Sequence, residues 1–142
     1  MIWKFLAAWS LLALTVTIHA AGLSIMLRYV RRVSHGGFWP MTRLLVWVAW
    51  WLLLLHLAGI SVWALFFWYQ KCLPDAESSF YFSGVTYSTL GYGDLVLPKE
   101  WRLFGPVEGL TGILMCGLSA GFFFAVLTRV LMAKRAGDQT HL

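Results

Sequence analysis

Residues 86–98 read T-Y-S-T-L-G-Y-G-D-L-V-L-P. Within them two glycines bracket a tyrosine, Gly91-Tyr92-Gly93, and Asp94 closes the run. Glycine on alternate positions suits a backbone that must visit φ > 0, where other residues resist. Just upstream, Pro74-Asp75-Ala76-Glu77 has the Pro and acids of a helix start. Residues 78–88, SSFYFSGVTYS, follow and are apolar over much of a helical circumference. That segment is too short to cross a bilayer and reads as a re-entrant or buried piece. Further out on either side lie residues 44–70 and 109–128, neither of which contains Asp, Glu, Lys or Arg. Residues 5–27 form a third uncharged run.

An apolar run of about 20 residues spans the hydrocarbon core as a helix, so these three runs predict three transmembrane helices. Composition agrees. Of 142 residues, 60% are hydrophobic and 12% charged, against about 25% charged in soluble chains. The start of the first run imitates a signal peptide, with Lys4 before it and His19-Ala20-Ala21-Gly22 within it as a would-be cleavage site. It is too long for one, and Arg28, Arg31 and Arg32 follow as a stop; the expectation is a retained helix. Cys72 and Cys116 fall at different depths, which argues against a disulfide between them, and no Cys/His spacing makes a zinc site.

Net charge is +5, and the basic residues flank the spans, where they set topology. No basic stripe on a soluble module suggests nucleic acid as a partner. The first connection carries Arg28, Arg31, Arg32 and Arg43 without an acid, and Arg129, Lys134 and Arg135 with Asp138 follow the third run. Between the second and third runs, Lys71, Lys99 and Arg102 are matched by Asp75, Glu77, Asp94 and Glu100. Short Lys/Arg-rich loops stay cytoplasmic. The N-terminus and residues 70–105 are therefore expected outside, and the C-terminus inside, in the plasma (bacterial inner) membrane. Trp3, Trp9, Trp63, Trp68 and Trp101 are expected in the outer interfacial belt, Trp39 and Trp47 in the inner one. Gly36-Gly37 and Pro40 mark the first cytoplasmic turn, with His35 on the surface.

Irregular backbone at membrane depth must be buried in protein or line water, because lipid satisfies no N–H or C=O group. TLGYG is thus expected to line an aqueous or ionic path, its carbonyls turned to one side. TYSTLGYGDLVLP resembles the signature of potassium channels, and the resemblance extends over residues 44–132 as outer helix, pore helix, filter and inner helix. Leu90 stands where Val or Ile is commoner in that family, a mild departure because the carbonyl is the working atom. The resemblance implies passive conduction of K+ through sites on Thr89, Leu90, Gly91, Tyr92 and Gly93, in a homotetramer around the filter. It implies no cofactor beyond the bound potassium ions.

Other residues are expected in support. The C-terminus of the pore helix near Ser88 would point its macrodipole at the membrane centre and favour a cation there. Tyr87, Tyr92 and Phe80–Phe82 would brace the filter wall, plain core packing being the alternative. By the resemblance, Asp94 would hydrogen-bond behind the filter and add negative potential at its mouth, or else be a solvated loop acid. Glu108 has two readings: a partner for the pore-helix hydroxyls Thr86 or Ser88, or an interfacial acid near a helix N-terminus behind Pro106. In the third span, Gly112 followed five residues later by Gly117 resembles the hinge region of simple bacterial potassium channels, which makes Gly112 the expected hinge, with close helix packing as its competing role. On that alignment Ile113, Cys116, Ala120 and Phe124 share a cavity-facing stripe, and Phe124 would form a hydrophobic gate.

The expected fold is an all-α membrane protein: three transmembrane helices plus a re-entrant pore helix and selectivity-filter loop, assembling as a tetramer. Residues 1–43 add an N-terminal helix and basic loop, 44–132 form the pore domain, and 133–142 a short tail. Arg28-x-x-Arg31-Arg32 superficially imitates a voltage-sensing helix, but the arginines crowd one end and a single helix is not a four-helix sensor. His19 and His56 lie inside the first two spans and either face each other as titrating groups or bond locally to backbone or Ser/Thr groups. The chain has no nucleophile–base pair, metal-ligand set or phosphate loop, so it reads as a non-enzyme. A silent modulatory subunit and a weakly selective cation pore are the alternative functions.

Overall fold

The computed structural model describes residues 2–32 and 38–139. His35, Gly36 and Gly37 lie outside the described residues, as do the side chains of Trp39, Lys134, Arg135 and Asp138. Four helices follow in order: α1 (Ile2–Arg32), α2 (Phe38–Tyr69), α3 (Ala76–Tyr87) and α4 (Phe104–Gln139). Three of them are long and apolar enough to cross a membrane, over Ile2–Arg32, Pro40–Tyr69 and Phe104–Met132. The 12-residue α3 reaches only about 18 Å at 1.5 Å per residue, so it enters the bundle without crossing. Among the described residues there is no strand. α4 runs on through Gln139, so residues 133–139 continue the helix beyond the apolar span. Ala, Lys and Arg are strong helix formers and carry it past the apolar run.

The start of α3 is encoded locally. Asp75 sits at the N-cap in extended conformation, and its Oδ1 accepts the Ser78 amide at 2.7 Å. The Ser78 hydroxyl donates to Asp75 Oδ2 at 3.0 Å. A side-chain acceptor here satisfies a backbone donor that the first helical turn leaves orphaned.

Two apolar clusters hold the bundle. At the α3 end, Ala8, Trp63, Phe67, Phe82, Leu97, Trp101, Phe104 and Met115 pack together. At the other end Met26, Val30, Leu44, Val48, Leu52, Leu55, Val126 and Val130 do the same. Small residues let the helices approach: a Cβ on Gly22 of α1 would collide with Leu55 of α2. The Trp51 indole donates to the Gly22 carbonyl at 3.0 Å.

Trp63 and Trp101 depart from the interfacial belt predicted for them. Trp63 is fully buried and Trp101 is 7% exposed, because both join an aromatic stack at the α3 end. Phe66 stacks on Phe104 at 5.2 Å, and Trp101 meets Phe104 edge-on at 5.2 Å and Trp3 at 5.5 Å. Lys4 lies 4.2 Å over the Trp101 ring and donates to the Glu100 carbonyl at 2.9 Å. The first helix is thereby clasped to the 98–103 turn. Trp3, Trp9, Trp47 and Trp68 remain exposed, as an interfacial position requires.

Candidate pore loop

α3 hands its last carbonyls directly to the loop. The Thr89 amide donates to the Thr86 carbonyl at 3.0 Å, and the Leu90 amide to the Val85 carbonyl at 3.0 Å. This pair of bonds is a Schellman closure, with Ser88 as C-cap and Thr89 in the left-handed position that usually belongs to glycine. Thr89 has φ 64°. A β-branched residue there is strained, by about 1–2 kcal/mol. The carbonyls of Val85 and Thr86 are thus capped by the loop's own amides, so fewer bare carbonyls remain at this end of the helix.

Gly91 (φ 58°) and Gly93 (φ 79°) also lie at positive φ. Leu90 and Tyr92 do not, so the sign of φ alternates residue by residue from 89 to 93. Alternating right- and left-handed residues turn successive peptide N–H groups to one side of the chain, which leaves the carbonyls to the other. Residues 89–94 are all exposed on the subunit. Leu90 is 59% and Tyr92 67% exposed, and a Cβ on Gly91 or Gly93 would meet no atom within 4 Å.

The far end of the loop is tied back to α3. The Tyr81 hydroxyl donates to Asp94 Oδ2 at 2.7 Å. That bond holds the Asp94 carboxyl below its ordinary value, with backbone amides of Asp94 and Leu95 helping. Asp94 thus has a partner behind the loop, and the partner is a residue that sequence reasoning assigned only to wall packing. The loop doubles back along α3, which brings position 94 beside position 81; no local pattern signals that pairing.

The model of the ion channel family matches residues 44–129, well over half of the chain. The chain belongs to the ion channel family. No curated protein and no solved structure matches it. That family consists of conducting pores, not catalysts, and the channel is a multi-pass membrane protein with three candidate spans.

In the channel, Tyr87 does not brace the loop from outside. It is 2% exposed and sits between α2 and α4. Its ring lies 6.0 Å from His56, and a Cβ on Gly59 would stand 2.9 Å from its hydroxyl. Phe82 packs edge-on against Phe67 at 5.5 Å, while Phe80 and Tyr92 stay exposed. On α4, a Cβ at Gly112 would collide with the Tyr87 carbonyl. Gly112 therefore lets α4 touch the end of α3, the packing role, and α4 continues unbroken through Gly112, Gly117 and Gly121. Gly117 has nothing within 4 Å of a built Cβ.

Glu108 is fully buried, which removes the interfacial reading. Neither the Thr86 nor the Ser88 hydroxyl is its partner. Ser88 Oγ donates to the Gly84 carbonyl at 2.6 Å, and the pore-helix hydroxyl that interacts with Glu108 is Ser83. The two remain short of hydrogen-bond geometry. Ser83 lies one turn earlier on α3 than Thr86, the register set by the contact at Gly112. Ile113 (57%), Cys116, Ala120 and Phe124 (69%) are all exposed within the subunit. Phe122 and Phe123 instead pack on the second apolar cluster.

Proposed function

We propose that the chain is a potassium-selective channel, conducting passively through carbonyl sites on Thr89, Leu90, Gly91, Tyr92 and Gly93. The observation that carries this is the alternating sign of φ over residues 89–93, in a loop exposed on its own subunit and fed by a short helix that ends inside the bundle. One chain supplies one strand of carbonyls, and a dehydrated K+ needs a ring of them. Exposed irregular backbone at membrane depth also needs protein around it. Four copies around an axis meet both demands, with K+ and lipid as the remaining partners and no cofactor. In that assembly Ile113, Cys116, Ala120 and Phe124 of α4 face the aqueous cavity, Phe124 narrows it, and Asp94 lends negative potential to the mouth. Gly117, open on every side of its built Cβ, is the bending point. The charge pattern orients the loop outward and the C-terminus to the cytoplasm, in the plasma membrane.

The test is the reversal potential of the purified channel in planar bilayers, with K+ on one side and Na+ on the other. A potential near that of K+, lost in Gly91→Ala or Gly93→Ala, is expected. A potential near zero would make it a non-selective cation pore. Tetramers without current would make it a silent subunit.

A further inference from the structure

A polar layer crosses the bundle between its two apolar clusters, and α1 supplies its centre. His19 is 1% exposed, and its Nε2 lies 2.9 Å from Ser119 Oγ of α4. The His56 ring of α2 stands 5.0 Å from the His19 ring, tilted by 53°. On its other side His56 meets Tyr87, the last residue of α3, at 6.0 Å. The imidazole pair therefore touches every other helix of the bundle. It adjoins the Tyr87 carbonyl that rests on Gly112 and the peptide that leads into residues 89–94.

The layer holds buried capacity that its neighbours do not use. Nδ1 of His19, Nδ1 of His56 and the Tyr87 hydroxyl have no hydrogen-bond partner. From α1, the Thr15 methyl packs near Gly59 beside Tyr87, while its hydroxyl donates to the Leu11 carbonyl at 2.8 Å. From α3 comes Tyr87. From α4 come Ser119, already bonded to His19, and Cys116 and Glu108, which act electrostatically on Tyr87. Among the described residues, no carboxylate reaches hydrogen-bond distance of either ring.

We propose that His19 and His56 form a proton-binding site through which α1 regulates the pore. The described packing suits two neutral rings, each with one donor and one acceptor. An imidazolium between two apolar clusters needs a counter-charge or further acceptors, and no carboxylate among the described residues bonds either ring. Two imidazoliums 5.0 Å apart repel each other, so the pair takes up its protons in separate steps. The protonated pair favours a different seating of α1 against α2 and α4, and a state stabilised by one more proton gains population as pH falls. Ser119 passes the change to the inner helix, and Tyr87 passes it to the root of the loop.

The proposal rests on the chain conducting as a pore and not on which cation it prefers. Purified full-length channel in planar bilayers is recorded in symmetric KCl from about pH 8 to about pH 5. Open probability is expected to change by about five-fold or more in the natural protein, and by less than about two-fold in His19→Gln/His56→Gln. The bi-ionic reversal potential measured on the same membranes stays unchanged, which separates a failure of selectivity from a failure of regulation. A flat pH profile in the natural protein, or a full profile in the double variant, overturns the proposal. A second readout needs neither current nor variant assembly. In 15N NMR of ring-labelled histidine in nanodiscs, two buried rings titrate stepwise within that range. Rings that stay neutral down to about pH 4.5 overturn the proposal whatever the currents do.

Discussion

Thr89 shows how one residue serves two demands. Its left-handed backbone closes α3, and in the proposed tetramer its hydroxyl adds a ring of oxygens to the filter. Thr89→Gly separates these. The variant loses the strain of a β-branched residue at φ 64°, so the folded protein gains about 1 kcal/mol, read as a higher thermal midpoint. It also loses a hydroxyl ring, so K+ affinity by calorimetry falls. An unchanged midpoint would deny the strain. Tyr81 and Asp94 make a second residue-scale pair. Because the Tyr81 bond lowers the Asp94 carboxyl, its contribution is complete above the ordinary carboxylate value of about 3.9. It is lost as pH falls through the depressed value. Tyr81→Phe therefore moves the acid limit of single-channel conductance to higher pH. An acid limit that does not move would mean that the bond plays no part in the conducting form.

At the scale of elements, the α3–α4 contact is the one that places the loop. Gly112 meets backbone, which cannot rotate aside as a side chain can. Gly112→Ala is expected to destabilise the channel by about 2–3 kcal/mol, whereas Gly117→Ala, with open space around it, gains about 1 kcal/mol of helix propensity. Thermal unfolding in detergent distinguishes the two, and equal effects would remove the packing argument. The cysteines report the two faces of the bundle. Cys116 is exposed on the face of α4 that carries Phe124, while Cys72 is buried. Burial pushes the Cys72 thiol up to about 11, the nearby Glu100 charge adding and Lys4 opposing. The thiolate is the reactive form, so Cys72 stays inert near neutral pH and gains reactivity only as pH approaches that value. Methanethiosulfonate added at about pH 7.5 is expected to modify Cys116 and block current. Cys116→Ser abolishes the block. A block that persists in Cys116→Ser would put Cys116 off the conduction path.

At the scale of the whole molecule, the proposed ring of carbonyls needs more than one chain. Ile113, Cys116, Ala120 and Phe124, like Leu90 and Tyr92, are exposed on the subunit. Native mass spectrometry from detergent is expected to show four copies of the 16.1 kDa subunit. A monomer that conducts would contradict the ring. α1 adds to this plan by clasping the 98–103 turn through Lys4 and reaching the inner helix through His19, so the extra helix belongs to the pore's own packing.

How much of this was legible in sequence follows the range of the forces involved. Spans follow from hydropathy summed over neighbouring residues, so residues 5–27, 44–70 and 109–128 announced three long helices. The α3 cap and the glycine-rich loop depend on residues a few positions apart, and Asp75, Gly91 and Gly93 were readable for the same reason. Pairings across the bundle were not. Tyr81 with Asp94, Glu108 beside Ser83 instead of Thr86 or Ser88, the collision that reserves Gly112, and the burial of Trp63 all depend on where α3 comes to rest between α2 and α4. His19 and His56 were visible as two imidazoles in two spans, with both of their readings open. The packing selected parts of each: they face one another, and His19 bonds Ser119. Local chemistry sets which segments cross and which turn back. The register between helices is set by three-dimensional steric fit, and that decided which side chains meet.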